Sequence, residues 1–570
     1  MKHANLPARL ARKLVKTSKA DTSLAFLLAT LILGAGGIAF TSWGVWAADE
    51  SRGRAFAPLL ADIAYACLTF LSPADVFIHA NTLPWQLEIG RNCALALTLL
   101  GVIKLLQRLS GPFVARVLMR TMASGHAIIT STDGAADGIA MATSRGGLPA
   151  ALADPTLAKD DERMEQLARA GVIVVRGDSV TDMVLRGARM KQAASIAVWN
   201  TADTSSLGTA LELRAQAPTT FSEIAVRIAS PLVQQALRAA PQLLQRTDAR
   251  PARLRPISQI GSSCRAALGG PELVERCIHD GQNQVTGVLI GAGVGLQWVA
   301  DLLLRQCWSH GLGGPYVEIC GPAEEWQEWL RARRALLSNA EKIFAPDLTP
   351  RIMMRDSTDD PCIEVGDTAT AVFVDLGDDQ RSLTHAFELA TRARSEGWKL
   401  KVRALLREQS ALADFIDAAE LPFDPPIVYE QAASLPVLLE RGLDEEAARI
   451  HLAYMQGTAP SSIGVIDWGE LNETMLHANR SAANHLPIKR ADVTRLGENA
   501  GPAIEELGRI EHARWSMDKL LDGWQHGERD DIRLRHPNLV PWHALDGETR
   551  EKDLVEYRNI LAERTRAEPT

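Results

Sequence analysis

Between Leu24 and Ala48 the chain carries no charged residue. That run of about 25 positions is long enough to cross a bilayer as a tilted helix. A second uncharged run, Asn92–Ile103, is extended by Leu87, Ile89, Leu105 and Leu106. Its flanking ions Glu88, Arg91 and Lys104 can snorkel to the interfaces. A signal peptide does not fit the first run, which is too long for an h-region and is followed by a second. Lys2, Arg9, Arg12, Lys13, Lys16 and Lys19 precede the first run, and Lys104, Arg108, Arg116 and Arg120 close the second. The connecting segment carries Asp49, Glu50, Arg52, Arg54, Asp62 and Asp75. By the positive-inside rule this bias puts both termini in the cytoplasm. The expectation is a two-helix transmembrane module over residues 1–111, with spans at about 24–48 and 87–106, in the inner (cell) membrane with the lipid bilayer as partner.

Residues 55–71 between the runs are apolar apart from Asp62 and lead into Thr69–Asp75, TFLSPAD. The order of span, short apolar helix, loop and span resembles the pore module of two-span potassium channels. The resemblance implies a re-entrant pore helix and a potassium channel-like role in ion transport. No TVGYG-like filter is present, so potassium selectivity does not follow. An interfacial helix in a plain anchor fits the same residues. Two spans cannot enclose a pore alone, so a homo-oligomer is expected.

The remaining mass reads as a multi-domain globular body. The 570 residues of the whole chain leave room for several domains. A net charge of -8 argues against a nucleic-acid partner. Seven cysteines include no CxxC pair, so neither a metal site nor a disulfide framework is expected.

After the second run, short β-like segments alternate with helical ones, the pattern of a parallel-sheet α/β domain. His126–Thr130, Gly171–Val175 and Ser195–Trp199 read as strands, and Asp160–Ala170 has helical spacing. The run Gly171-Val-Ile-Val-Val-Arg-Gly177-Asp178, followed by Asp182, Leu185, Ala188 and Ala193–Ala197, resembles the NAD-binding domain of regulators of potassium conductance. The resemblance implies a Rossmann-like regulator domain over residues 112–260, with Asp178 among its cofactor-binding residues. The turn after the first strand, Thr130-Ser-Thr-Asp-Gly134-Ala-Ala-Asp-Gly138, departs from GxGxxG. Asp133 would set a carboxylate against a pyrophosphate, which favours a structural shell. Asp154 lies near the ribose position, but an acidic residue before proline is also a common turn residue.

A second strand-turn-helix starts at Val285–Ile290 and continues Gly291-Ala-Gly293-Val-Gly295 into a helix over Leu296–Leu304. Further strands are expected at Tyr316–Cys320, Ile352–Met354, Ala371–Asp375 and Leu400–Leu406. The pattern resembles a second, divergent Rossmann domain over residues 284–430, with Gly291, Gly293 and Gly295 as candidate cofactor-binding positions. Leu296 stands where the third fingerprint glycine would. The ligand implied is NAD(H) or another adenine nucleotide, and no metal.

Residues 443–566 carry the most distinctive pattern. A helical stretch, Ala447–Tyr454, leads through Ala478–His485 to Glu511-His512-Ala-Arg514-Trp515, Gly523-Trp524-Gln-His-Gly527 and His536-Pro-Asn-Leu539-Val-Pro541-Trp542. In order and spacing these EHxRW, GWxxG and HPxLxPW elements resemble the RyR domain, the repeat named from ryanodine receptors and present in bacterial proteins. The resemblance implies a ligand-sensing module and an adenine-nucleotide class of ligand. Trp515, Trp524 and Trp542 are flat surfaces suited to stacking on a ring. Arg514, Lys519, His512 and His536 are suited to phosphate or carboxylate groups. Core packing of the tryptophans and an Arg514–Glu511 helical pair are the competing structural readings.

The fold class expected is therefore a two-span α-helical membrane domain plus α/β, with tandem Rossmann-like parallel-sheet domains and a mainly helical RyR domain. GxSxG, HExxH and Walker patterns are missing from the sequence, so an enzyme is not expected. The leading function is a membrane-embedded sensor or channel-like effector controlled by a small-molecule nucleotide-type ligand. The alternatives are a membrane-tethered NAD(P)-dependent oxidoreductase and a structural scaffold that binds nothing.

Overall fold

The computed structural model describes residues 6–19, 24–48, 85–157, 162–177, 179–217, 223–245, 252–356, 368–407, 423–429, 433–456 and 467–567. The segment expected to form a pore helix, 55–71, and the candidate Asp178 lie outside these. The chain forms two compact units, residues 1–128 with 144–194, and residues 129–143 with 195–570.

Among the described residues the first unit opens with the helices α1 (Leu6–Lys19), α2 (Leu24–Ala48) and α3 (Trp85–Thr121). Helices α2 and α3 lie side by side, with Gly90 at a close approach where any Cβ would overlap Thr41 Oγ1. Trp43 and Trp85 meet edge to face at 5.2 Å. Among the described residues no helix is long and apolar enough to cross a membrane. The second run is part of a 37-residue helix whose sequence includes Glu88, Arg91, Lys104, Arg108, Arg116 and Arg120. The expected two-span membrane domain is corrected accordingly.

The first parallel sheet has the order β3-β2-β1-β4-β5-β6. Its strands are β1 (Ala127–Thr130), β2 (Ala150–Ala153), β3 (Ile173–Val175), β4 (Ser195–Val198), β5 (Glu223–Arg227) and β6 (Arg253–Ile257). In the first unit β2 pairs with β3, and Ala127 N–H donates to Pro149 O. In the second unit β4 pairs with β5 and β5 with β6, and Trp199 N–H donates to Thr130 O. The second unit also holds α4 (Pro231–Ala239), capped by Ser230 Oγ, which accepts from Val233 N–H.

The second parallel sheet has the order β12-β11-β10-β7-β8-β9. Its strands are β7 (Thr286–Gly291), β8 (Tyr316–Gly321), β9 (Arg351–Asp356), β10 (Ala371–Asp375), β11 (Lys401–Leu406) and β12 (Ile427–Val428). The sequence order reverses between β7 and β10, so the fold's topological switch lies at their carboxyl ends. Strands β7 and β10 are buried at every position, as in a parallel sheet covered on both faces. Leu289 and Phe373 point to one face, whereas Val288, Ile290, Val372 and Val374 point to the other. The turn after β7 leads into α5 (Val294–Gln306), buried over almost its whole length.

The C-terminal helices are α6 (Arg441–Gln456), α7 (Glu473–Leu496), α8 (Ile504–Leu521) and α9 (Gly547–Ala567). Asn472 caps α7 by accepting from Met475 N–H at 2.8 Å. Helix α8 carries Glu505 and Glu506 in its first turn and Lys519 in its last, charges that favour those ends. Its apolar residues Ile510, Ala513, Met517 and Leu520 join Leu296, Val299, Leu303 and Trp308 in one hydrophobic core. The second Rossmann-like layer and the C-terminal helices therefore share a core.

Candidate functional site

A cavity of about 520 Å³ opens among α6, α7, α8, α9 and the loop after α8. Helix α8 sets it up. Glu511, Arg514, Asp518 and Asp522 follow at spacings of three, four and four, so they run along one side of the helix. Trp515 and Lys519 lie beside them and face the cavity. Gly523, at φ 87°, turns the chain out of α8, and the short pair β13 (Gln525–His526) and β14 (Arg535–His536) returns it. His536 thereby lies edge-on to Trp515, ring centres 4.9 Å apart, and 6.1 Å from Trp524.

The cavity floor is a buried ion cluster. Arg514 donates to both oxygens of Glu511, at 2.9 and 2.8 Å. Lys489 lies 3.0 Å from Glu511 and also bonds Glu556. Arg514 and Lys489 hold the Glu511 carboxyl well below the usual range, against the opposing pull of burial. Arg514 continues to Ser481 Oγ at 3.3 Å, and Ser481 donates to Asp518 at 3.1 Å. Asp518 pairs with Arg305 on α5, and Arg305 and Arg238 converge on Asp522 at 2.8 and 2.9 Å. An unbroken polar chain thus leads from the cavity floor to α5 of the second Rossmann-like layer and to α4.

The wall is different. Lys519 Nζ lies 4.5 Å from the centre of the Trp524 ring and 5.9 Å from that of Trp515. Burial draws its ammonium down to about 8. His512 Nε2 lies 2.9 Å from the Val540 carbonyl, which can only accept, so that nitrogen carries a proton. His512 Nδ1 meets Asp553, a carboxyl whose ionisation burial disfavours. His536 Nδ1 accepts from Asn538 N–H, and burial with Lys519 nearby lowers the ring to about 3. His536 is therefore neutral at pH 7 and presents Nε2–H as a donor.

Of the candidate ligand residues, Arg514, Trp515, Trp524 and His536 line this cavity. Arg514 is committed to Glu511 and Ser481. Trp524 is almost wholly buried and Trp515 only partly so. Trp542 does not line the cavity; it rests under Arg550, with His512 on its other neighbour side at 5.9 Å. Asp518, Asp522, Arg305 and Arg238 were not singled out by sequence. The Glu511–Asp522 spacing on a helix was the signal for the two aspartates, whereas their arginines come from distant segments.

The first glycine turn is filled by Asp133, and Asp375 lies against the second. After β1, Asp133 accepts from Ser131 Oγ–H at 2.8 Å, Ala135 N–H at 3.2 Å and Thr201 N–H at 2.7 Å. Its own carboxylate takes the backbone donors that a phosphate would use, and these bonds lower its pKa despite some burial. In the first unit, Asp154 accepts from Thr156 N–H and Oγ–H and from Arg163, which makes it a turn residue. After β7, Gly291 adopts φ 103° and Gly293 φ 137°. A Cβ on Gly291 would overlap the Asp375 carbonyl, and one on Gly293 would lie 3.0 Å from Asp375 Oδ2. Gly295 lies under Leu405 and Asp375. The glycines make room for Asp375 and for Trp326, whose Nε1–H donates to Gly291 O at 3.0 Å. Burial raises the Asp375 carboxyl to about 6. Among the described residues no cluster of side chains suits a metal ion.

No curated protein matches the chain. Two family models do: an RyR domain over residues 487–564 and a TrkA-N domain over residues 156–242. The TrkA-N match begins beyond the Thr130–Gly138 turn. A TrkA-N domain is a Rossmann NAD-binding regulatory domain, which implies NAD(H)-type nucleotide binding for domains of its kind. The chain thus carries an RyR domain behind a Rossmann-like domain of the regulator-of-potassium-conductance type.

Proposed function

We propose that this protein is a nucleotide-binding regulator whose ligand enters the RyR-domain cavity, and that it acts as a sensor rather than a catalyst. One observation carries the reading: the cavity combines the Trp515 ring and a positive wall with a floor wired by ion pairs to α5. A flat ring stacks on Trp515, with adenine the class the domain types suggest. A ligand that displaces Glu511 or Arg514 changes the bonds reaching Ser481, Asp518 and Arg305. It thereby favours one arrangement of the Rossmann-like layer over another, by as much as its affinity for the two differs. The occupied glycine turns support placing the ligand in the RyR cavity rather than at either Rossmann crevice.

The test is calorimetric titration of the full chain with AMP, ADP, ATP and NAD, beside mass spectrometry of small molecules that co-purify. Binding that is lost in Trp515→Ala and kept in Gly293→Ser supports the reading. No co-purified nucleotide and no heat from any of the four refutes it.

A further inference from the structure

We propose that Lys519, the Trp524 indole N–H and His536 form an anion subsite within the RyR cavity, taking the phosphoryl group of the ligand while its ring stacks on Trp515. The proposal rests on the nucleotide reading above and says where on the cavity wall the charge docks.

Charge pairing in the cavity singles out this corner. Arg514 and Lys489 are held by Glu511 and Glu556, and Arg529 meets Asp531 at 3.2 Å. Lys552 lies 3.5 Å from Glu548. Among the described residues Lys519 makes no hydrogen bond or salt bridge, and its neighbours are two indole faces. The nearest carboxylates attract it without bonding it. Asp522 is taken by Arg305 and Arg238, and Asp531 by Arg529. A half-buried ammonium with no carboxylate bonded to it is costly, and an incoming anion relieves that cost.

A second, independent observation lies beside it. Trp524 is 3% exposed and its Nε1–H has no acceptor among the described residues. A buried indole N–H ordinarily finds one. His536 adds a third donor, since Nδ1 is occupied by Asn538 and Nε2 keeps the proton. These three neighbouring groups all donate, and a phosphoryl group supplies only acceptors.

Lys519 faces Asp522, Asp531, Arg529 and Arg305, and the last two help keep its ammonium easy to deprotonate. Affinity for a phosphorylated ligand therefore weakens above about pH 8, where the empty subsite loses its charge, whereas adenosine binding stays level.

The test compares AMP, adenosine and inorganic pyrophosphate by calorimetry on the full chain, for wild type, Lys519→Met and Lys519→Arg. The expected result is at least tenfold tighter binding of AMP than of adenosine by wild type. Lys519→Met should bind AMP as weakly as adenosine, with adenosine affinity within twofold of wild type, and Lys519→Arg should keep the preference. A persistent AMP preference in a folded Lys519→Met overturns the subsite and leaves the nucleotide reading standing. Pyrophosphate binding that needs Lys519, with neither AMP nor adenosine bound, upholds the subsite and defeats the nucleotide reading. No binding of any of the three probes overturns both.

Discussion

The substitution Glu511→Gln isolates the cavity floor. Glu511 is 6% exposed, accepts two bonds from Arg514 and lies 3.0 Å from Lys489. Glutamine keeps the shape and one acceptor but removes the charge that faces both cations. Taking one partner from a buried pair costs about 3–5 kcal/mol, and Lys489 retains Glu556, so about 3 kcal/mol is expected. At roughly 1–2 °C per kcal/mol for a unit of this size, differential scanning calorimetry at pH 7 should show Tm lower by about 3–6 °C. The sign of the pH dependence follows from the lowered carboxyl. Its contribution is complete above the unfolded value near 4.5 and is lost as pH falls through the lower folded value. The gap between wild type and Glu511→Gln should therefore close on acidification below about pH 4.5, while at pH 6–8 it stays constant. Pairing Glu511→Leu with Arg514→Met should recover part of the loss, because no unpaired buried charge then remains. A Tm within 2 °C of wild type at pH 7 would refute the claim that the floor depends on this charge.

Three further perturbations follow from the glycine turns. Asp375→Asn keeps an acceptor for Gly377 N–H but removes a carboxyl raised to about 6. Because the folded state holds that proton more tightly, wild type loses stability between about pH 4 and 6; the variant should be more stable at pH 7 by up to about 3 kcal/mol and equal at pH 4 in urea melts. Gly291→Ala puts a methyl onto the Asp375 carbonyl at φ 103° and should cost at least about 2–3 kcal/mol by the same assay. Asp133→Ala releases Ser131, Ala135 and Thr201 and should destabilise by about 1.5–3 kcal/mol, a difference that shrinks below about pH 3.8 as the wild-type carboxyl protonates.

Periodicity and turn chemistry made both parallel sheets legible. Val285–Ile290 and Ala371–Asp375 are short apolar runs bounded by glycine or polar turns, and they form the central strands β7 and β10. The strand at Ala150–Ala153 was missed because AALA carries neither β-branched nor aromatic residues, and burial between neighbours overrides its weak propensity. The uncharged N-terminal runs gave helices, but lack of charge is a statement about composition and does not specify what a helix packs against. At the site, ordered aromatic and glycine positions located the cavity. What stayed hidden was which charges are spent: Arg514 and Asp375 read as ligand and strand residue, and only the fold shows Glu511 beside one and a glycine turn beside the other.

The Arg238–Asp522 and Arg305–Asp522 bonds have a bearing on modularity. The segment that matches the RyR family begins at residue 487, after α6 and half of α7, and it contains neither arginine. Cut out along that boundary, it would carry Asp518 and Asp522 without their counter-ions and would expose Met517 and Leu520, which pack against the Rossmann-like layer. The RyR segment of this chain is no portable cassette. Whatever it senses is reported through contacts that it cannot keep alone, so a graft into another protein would have to bring α4 and α5 along.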